Sequence, residues 1–217
     1  SSSVFRPQHS TTMGEDGESL YKVEYLDIPE DSDEQKEFVW IAKAGKAKVT
    51  YNDGSTYTGF FNEEKQKDGE GVYIWMEQGE EEDEPKQKAS YEGSYKNGKK
   101  DGTGKMTFPS NDIYTGEWKE NKMHGTGTYE YKKTGDIYSG TFVEGQKEGE
   151  GCYEFGADSS KLKGKWEKGK FITGEWIYKG AGKYAGTFQN GQPIGAGSFS
   201  FVNGIVQEGE YVSKGPK

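Results

Sequence analysis

The chain has 217 residues, a formal net charge of −9 and a mean hydropathy of −1.04. No apolar run reaches the 18 or so residues of a membrane-spanning helix, so no such helix is expected. The acidic balance and the single arginine, Arg6, argue against nucleic-acid binding, because guanidinium groups are the favoured readers of phosphates and bases. A single cysteine, Cys152, excludes an internal disulfide framework; we expect a spectator thiol rather than a redox sensor.

Residues 1–41 differ from the rest of the chain and are predicted to be a partly disordered N-terminal segment. Tyr21, Val23 and Tyr25 alternate with polar residues, which predicts a short strand. An acidic stretch follows at 30–34 and an apolar run at 38–41. We expect the segment to cap the first edge of a sheet rather than to dock on a partner, because an open sheet edge needs protection.

A cassette of aromatic residues and glycines recurs between residues 42 and 212. The clearest copy begins with Tyr114, Gly116 and Trp118, and similar copies start at residues 91 and 138, so the spacings are 23 and 24 residues. Less regular copies start at 57 and 162, a clean copy starts at 184, and half-copies lie at 45–51 and 207–211. Such a period is typical of repeat proteins whose units stack on their neighbours, and we count about six units with partial units at both ends.

Each unit is predicted to be a β-hairpin, because its aromatic residues and glycines alternate with polar residues. Turn-forming pairs separate the two halves at 97–98, 144–145 and 190–191. In the second half of the clearest copy, four residues are predicted to face together: Gly125, Gly127, Tyr129 and Tyr131. The predicted fold is all-β, an elongated single twisted antiparallel sheet of tandem hairpins, with a short tail at 213–217.

The aromatic residues of these hairpins are predicted to form the core. Glycine weakens a strand interior, and its place between the rings indicates that a neighbouring ring lies flat across the bare backbone. The predicted core aromatic residues are Tyr57, Phe61, Tyr91, Tyr95, Tyr114, Trp118, Tyr138, Phe142, Trp166, Tyr184 and Phe188.

One spacing, from Tyr57 to Tyr91, is longer than the others by about half a unit. The excess is predicted to be a solvated loop at 77–90, because its run of charges with Pro and Gly has no apolar partner to bury. Its acidic residues are a candidate partner-binding element: Glu80, Glu81, Glu82, Asp83 and Glu84.

No residue pattern in the chain indicates a catalytic, cofactor or metal site. The histidines, His9 and His124, lack the partners of a nucleophile arrangement or a metal cluster, and the Gly-x-Gly pairs precede strands rather than helices. Lysine clusters at 96–100 and 161–165 are either anion patches or, as we favour, parts of a solvated sheet face. We therefore expect a protein that is not an enzyme.

The unit Tyr-x-Gly-x-Trp-x-x-Gly, followed by Gly-x-Gly and aromatic residues, resembles the MORN repeat over about residues 45–211. This resemblance implies a scaffold or binding surface of stacked hairpins. The last full unit, from Tyr184 to Phe199, and the closing stretch 207–211 are similar to the end of the array in the MORN proteins of ciliary radial spoke heads. That group includes the homologues of radial spoke head protein 1, and the size of this chain is similar to that of radial spoke protein 10.

The closer resemblance implies a structural subunit of the radial spoke head in the axoneme of a cilium or flagellum. Its expected partners are other spoke-head proteins and central-pair projections, within a multiprotein complex. A MORN scaffold bound to a membrane is the alternative, although direct membrane contact is not expected for an acidic chain. A third alternative is a regulatory module of a larger enzyme.

Overall fold

A computed structural model describes residues 21–28, 41–77 and 86–212 of the protein. The described residues form antiparallel β-strands joined by turns, with no helix among them, which confirms the predicted all-β class. Most of the predicted N-terminal segment, the acidic residues at 80–84 and the tail at 213–217 lie outside the described ranges. The chain divides into two compact units at residues 98 and 99.

In the first unit, five strands lie side by side in the order of the sequence. They are β1 (Tyr21–Tyr25), β2 (Gly45–Tyr51), β3 (Thr56–Phe61), β4 (Lys67–Glu77) and β5 (Lys86–Lys96). The predicted strand at the N-terminus is β1, and it pairs with β2 from Tyr21 opposite Tyr51 to Tyr25 opposite Ala47. Strand β1 therefore lies beside the half-unit at 45–51, and the capping role of the whole segment 1–41 stays a prediction.

The second unit has ten strands, also side by side in sequence order. They are β6 (Lys99–Thr107), β7 (Ile113–Lys119), β8 (Lys122–Tyr131), β9 (Asp136–Val143), β10 (Gln146–Glu154), β11 (Lys161–Glu167), β12 (Lys170–Tyr178), β13 (Gly182–Gln189), β14 (Gln192–Phe201) and β15 (Val206–Tyr211). Four repeats supply two strands each, from β7 to β14; β6 is the second strand of the repeat that begins at residue 91, and β15 is the final half-repeat.

The two-residue turns inside the hairpins require positive φ at both positions. Glu144 and Gly145 have φ angles of 50° and 83°, and Asn190 and Gly191 have 51° and 77°. This left-handed pair matches the twist of the flanking strands, and Asn and Gly adopt it at low cost. The predicted turns at both places are confirmed.

The core of each regular unit is a tyrosine ring that lies flat across two paired glycines. In β7 and β8, Gly116 pairs with Gly127, and a methyl group on either would overlap with the ring of Tyr114. Tyr57, Tyr138 and Tyr184 lie in the same way over their own glycine pairs. The predicted stacking of rings on bare backbone is therefore confirmed.

Edge-to-face ring contacts join a tyrosine to the aromatic residue four positions later and, within each compact unit, to the equivalent residue of the next repeat. The centroid of Tyr138 lies 5.2 Å from that of Phe142 and 5.2 Å from that of Trp166, at interplanar angles of 88° and 78°. Tyr114 makes the same contacts with Trp118 and Phe142, at 5.2 and 5.1 Å. All the predicted core aromatic residues are at most 7% exposed.

The first glycine of each Gly-x-Gly pair has a different role, and the predicted facing of Gly125 is wrong. Gly125 has φ of 55°, and a side chain there would point at the Glu117 carboxylate on the polar face, not at the rings. It lies in a β-bulge, where the pairing of β7 and β8 passes from Gly116 opposite Gly127 to Glu117 opposite His124. The left-handed conformation of the bulge requires glycine, and Gly69, Gly149 and Gly195 repeat it.

The predicted loop at 77–90 is shorter than the sequence indicated. Strand β4 continues to Glu77 and β5 begins at Lys86, which is paired with Glu77. The side chains of Glu77 and Lys88 also form an ion pair at 3.2 Å. Part of the excess length therefore extends a hairpin, because cross-strand opposite charges stabilise strand pairing even without an apolar core.

We expect Gly127→Ala to destabilise the protein by about 2–3 kcal/mol, because the added methyl group must displace the buried Tyr114 ring. Gly209→Ala in β15 is the matched control, since a methyl group there would meet no atom within 4 Å. Urea unfolding followed by tryptophan fluorescence measures both changes. Equal destabilisation by the two substitutions would contradict the role assigned to the ring.

Candidate functional site

The side of each sheet that carries the tyrosines, here the ring face, has a second set of aromatic residues beside the buried ones. These come from the second strand of each hairpin and are half-buried rather than buried. In the second unit they form the outer row: Phe108, Tyr129, Tyr131, Tyr153, Phe155, Trp176, Tyr178, Phe199 and Phe201. Phe201, at the end of the row, is 40% exposed.

The rings of the outer row contact one another along the whole second unit. Tyr131 lies 5.8 Å from Tyr153 between centroids, and Tyr153 lies 5.0 Å from Phe155. The row continues from Trp176 to Tyr178 at 4.8 Å and from Tyr178 to Phe199 at 5.9 Å. Contiguous exposed aromatic surface of this kind marks interaction sites on soluble domains.

Aspartates in the turns fix two tyrosines of the outer row, Tyr129 and Tyr153. The Tyr153 hydroxyl donates to Asp136 Oδ2 at 2.5 Å, and the backbone N–H of Gly156 donates to Asp136 Oδ1 at 2.8 Å. Burial acts to raise the pKa of Asp136, but these hydrogen bonds outweigh it and hold the pKa below its usual range. One repeat earlier, Asp112 accepts hydrogen bonds in the same way from the Tyr129 hydroxyl and from the backbone N–H of Lys132. These two tyrosines of the row are therefore held in position without a partner.

Lysines lie against the rings at a position that the sequence reasoning missed. Lys147 is paired with the buried Phe142, and its Nζ lies 4.5 Å from the centroid of Tyr153, 5.0 Å from Tyr138 and 5.1 Å from Trp166. Lys67 and Lys100 contact rings similarly, with Nζ 4.2 Å from Tyr73 and 4.7 Å from Trp118. The sequence does mark this position, because each of the three lysines lies two residues before the first glycine of a Gly-x-Gly pair.

Two open grooves lie on the ring face of the second unit, beside the outer row. The larger, of about 310 Å³, is here called the Lys147 groove; it has walls formed by Tyr153, Phe155, Trp166 and Phe171. The smaller, of about 270 Å³, lies between Phe108, Trp118 and Met123, with Lys100 at its side. Apolar walls with a few polar groups are typical of binding pockets.

The aromatic residues predicted from the sequence build the sheets rather than the exposed surface. All of them are buried, so a partner on the ring face would meet the outer row instead. The candidate partner-binding residues 80–84 lie outside the described residues. In the lysine cluster at 161–165, Lys161 pairs with Glu154 at 2.9 Å and Lys165 with Glu167 at 3.0 Å, as on a solvated face.

His124 and Cys152 line neither groove. His124 is in β8 beside the bulge, and its Nδ1 is buried with no hydrogen-bond partner among the described residues. Cys152 is a half-buried free thiol opposite Ser139 and Lys163, on the polar face. Across ranges 21–28, 41–77 and 86–212, no three His, Cys, Asp or Glu residues are grouped to hold a metal ion. The same ranges contain no helix that could cross a membrane.

Comparison with known families agrees with this architecture. The MORN repeat model matches residues 57–78, 91–113, 114–134, 138–159 and 184–206, which together make up about half of the chain. The protein therefore belongs to the MORN-repeat family. The less regular unit from Leu162 to Trp176 lies outside these matches, yet it forms the same kind of hairpin in β11 and β12. MORN repeats suggest a protein-interaction or scaffold role.

A relative with a curated description is MORN repeat-containing protein 3 of Xenopus laevis, which is 30% identical over 102 residues. The match covers 42% of this chain and 39% of that protein, so the chain spans well under half of the relative's length. Among solved structures, the TCP domain of SAS-4 (dCPAP) of Drosophila melanogaster, in complex with a proline-rich motif of Ana2 (dSTIL), is similar at 14% identity. That match covers 75% of this chain and 88% of the TCP domain chain, with a TM-score of 0.27.

We expect Lys147→Met to stabilise the protein by about 1–2 kcal/mol at pH 7. Met123 holds the equivalent position one unit earlier, so a methionine side chain fits against the rings. Burial lowers the pKa of Lys147 to about 8, although Asp136 acts in the opposite direction. The expected gain is smaller than the full pKa shift implies, because the ammonium group is half-buried and is attracted by the rings.

The pH dependence of this gain tests its cause. An unfolded lysine has a pKa of about 10.4, so the folded protein disfavours the charged form. The resulting loss of stability is complete below pH 8 and disappears as the pH rises towards 10.5. Burial raises the pKa of Tyr138 to about 12 and also raises those of Tyr131 and Tyr153, so these rings stay neutral over that range.

Urea unfolding at pH 7 and pH 10 should therefore show an advantage of Lys147→Met that shrinks at the higher pH. Lys163→Met, at an exposed position opposite Cys152 on the polar face, is the control and should have little effect at either pH. An advantage of the same size at both pH values would contradict desolvation of the ammonium group as the cause.

Proposed function

We propose that this protein is a non-enzymatic scaffold that binds other proteins through the outer row of its ring face. The observation that carries the proposal is the continuity of the row, in which half-buried aromatic rings contact one another from Phe108 to Phe201. Aromatic residues held in place before binding lose little conformational entropy when a partner docks, and such residues dominate the energetics of interfaces.

More specifically, we propose that the protein is a structural subunit of the radial spoke head of a ciliary or flagellar axoneme. This proposal is supported by the resemblance of the unit from Tyr184 to Phe199, and of the closing half-unit, to the MORN proteins of spoke heads. The partners would be other spoke-head proteins, with central-pair projections a further candidate for the acidic residues at 80–84. The protein would then be found in the cytoplasm and, within it, in the axoneme.

The distribution of charge favours a protein partner over an anionic membrane. The described residues contain 24 lysines and 24 aspartates and glutamates, so they carry no net positive charge, and the net charge of −9 comes from the other residues. Attraction to an acidic lipid surface depends on a local excess of basic residues. Flotation with vesicles of phosphatidylcholine and phosphatidylserine tests this choice, and co-flotation would favour a membrane scaffold.

The decisive experiment is tagged expression in a motile ciliated cell, followed by axoneme isolation and crosslinking mass spectrometry. We expect crosslinks to other spoke-head subunits from residues around the outer row. Tyr178→Asp, in the middle of the row, should remove most of them, because loss of a central aromatic anchor costs about 2 kcal/mol or more in binding.

Thr115→Asp is the matched control, since it introduces the same charge at an exposed position in β7 on the polar face. It should leave the crosslinks unchanged, and circular dichroism should show both variants folded. Recovery of the protein in the detergent-soluble fraction would contradict the axonemal proposal. Equal loss of crosslinks with both variants would contradict the use of the ring face.

A further inference from the structure

At one position on the ring face, different repeats carry different kinds of side chain, although the aromatic residue opposite is buried in every case. The position holds the residue paired with the last buried ring of the first strand: Lys67 opposite Phe61, Met123 opposite Trp118, Lys147 opposite Phe142, Phe171 opposite Trp166 and Pro193 opposite Phe188. The rings opposite are all buried and serve the fold. The variable residue lies at their side and, at Lys147 and Phe171, lines the larger groove.

Lys147 is the polar group of this groove that lies closest to the rings. Its Nζ lies within 5.2 Å of the centroids of four rings, of Tyr131, Tyr138, Tyr153 and Trp166. No carboxylate of the described residues forms an ion pair with it, whereas many lysines of the polar face and the turns have a glutamate partner, as Lys161 and Lys165 do. The nearby Asp136 already accepts hydrogen bonds from Tyr153 and Gly156.

The other residues that line the groove are likewise basic or uncharged. Lys170 adds a second ammonium group that is without an ion pair among the described residues, and the remaining polar lining residue is Asn190. The groove therefore presents two cations and four aromatic walls, but no carboxylate. A half-buried ammonium group has lost part of its hydration, so an incoming carboxylate would form a charge-assisted hydrogen bond with it at reduced desolvation cost.

We propose that the Lys147 groove binds a peptide segment of a partner protein in which an aspartate or glutamate lies next to an aromatic or leucine side chain. The apolar side chain packs between Tyr153, Phe155 and Phe171, and the carboxylate pairs with Lys147, with Lys170 at the rim. This proposal rests on the scaffold function proposed above and names the partner chemistry for one part of the ring face. Specificity then depends on a residue that the fold leaves free to vary.

The test is selection of peptides from a phage-displayed library of random dodecapeptides against the full chain. We expect the enriched peptides to share an acidic residue within about two positions of Phe, Tyr, Trp or Leu, the spacing that the short groove allows. A fluorescein-labelled consensus peptide should bind in fluorescence anisotropy. Its affinity should fall as the salt concentration rises, because the pair is partly exposed.

Lys147→Met should weaken this peptide about tenfold or more, in the range for removal of one partner of a desolvated charge pair. Changing the acidic residue of the peptide to its amide should cause a similar loss with the wild-type protein and almost no further loss with Lys147→Met. Lys163→Met, the control on the polar face, should leave affinity unchanged. Because Lys147→Met is expected to be the more stable protein, loss of binding would not reflect unfolding.

Other results would overturn the proposal in distinguishable ways. Enriched peptides without an acidic residue, or an affinity that Lys147→Met does not change, would contradict the carboxylate pairing. If Tyr178→Asp nevertheless abolished peptide binding, the result would still support docking on the outer row and would contradict only the role of Lys147. Absence of any enriched peptide would reject peptide binding by this groove. A dimer that Lys147→Met dissociates in light scattering would assign the groove to a second copy.

Discussion

The structure depends on one contact, a tyrosine ring that lies flat across two glycines paired on neighbouring strands. The ring of Tyr114 covers Gly116 and Gly127 and donates from its hydroxyl to the backbone oxygen of Glu117 at 2.9 Å. Since neither glycine has a side chain, the ring reaches the backbone and is buried without a second layer of structure. Edge-to-face contacts also join Tyr57, Tyr114, Tyr138 and Tyr184 to the next repeat, so stability is shared between neighbours as in other repeat proteins.

Because rings that pack on the sheet's own backbone stabilise it, the aromatic residues of the outer row remain available to bind a partner. Most domains bury an apolar sheet face against helices or another sheet. Here the rings beside the glycine pairs are buried and those of the outer row are partly exposed, and hydrogen bonds to turn aspartates hold Tyr129 and Tyr153 in place. The exposed part of the face is therefore ordered before binding, which reduces the entropic cost of docking. This property connects the repeat architecture with a scaffold role.

The units are equivalent in their core but differ in what they present. Lys147 and Phe171 occupy the same position in successive hairpins, one a cation and the other an apolar ring. Because neither lies under the tyrosine, the fold tolerates both. Repeat proteins can therefore acquire specificity by substitution at such positions while the ring and glycine contacts remain constant. In this protein the Lys147 groove is where the chemistry departs most from a plain aromatic surface.

The sequence alone determined the family, the strands, the turns and the buried rings, because period and alternation are local properties of the chain. Tertiary structure decided the separate role of Gly125, since its positive φ arises from a bulge that exists only when β8 pairs with β7. It also decided the extension of strands to Glu77 and Lys86, and the placement of Lys147 against four rings from four strands. These features depend on which residues lie opposite one another across strands, and the repeat pattern does not record that register.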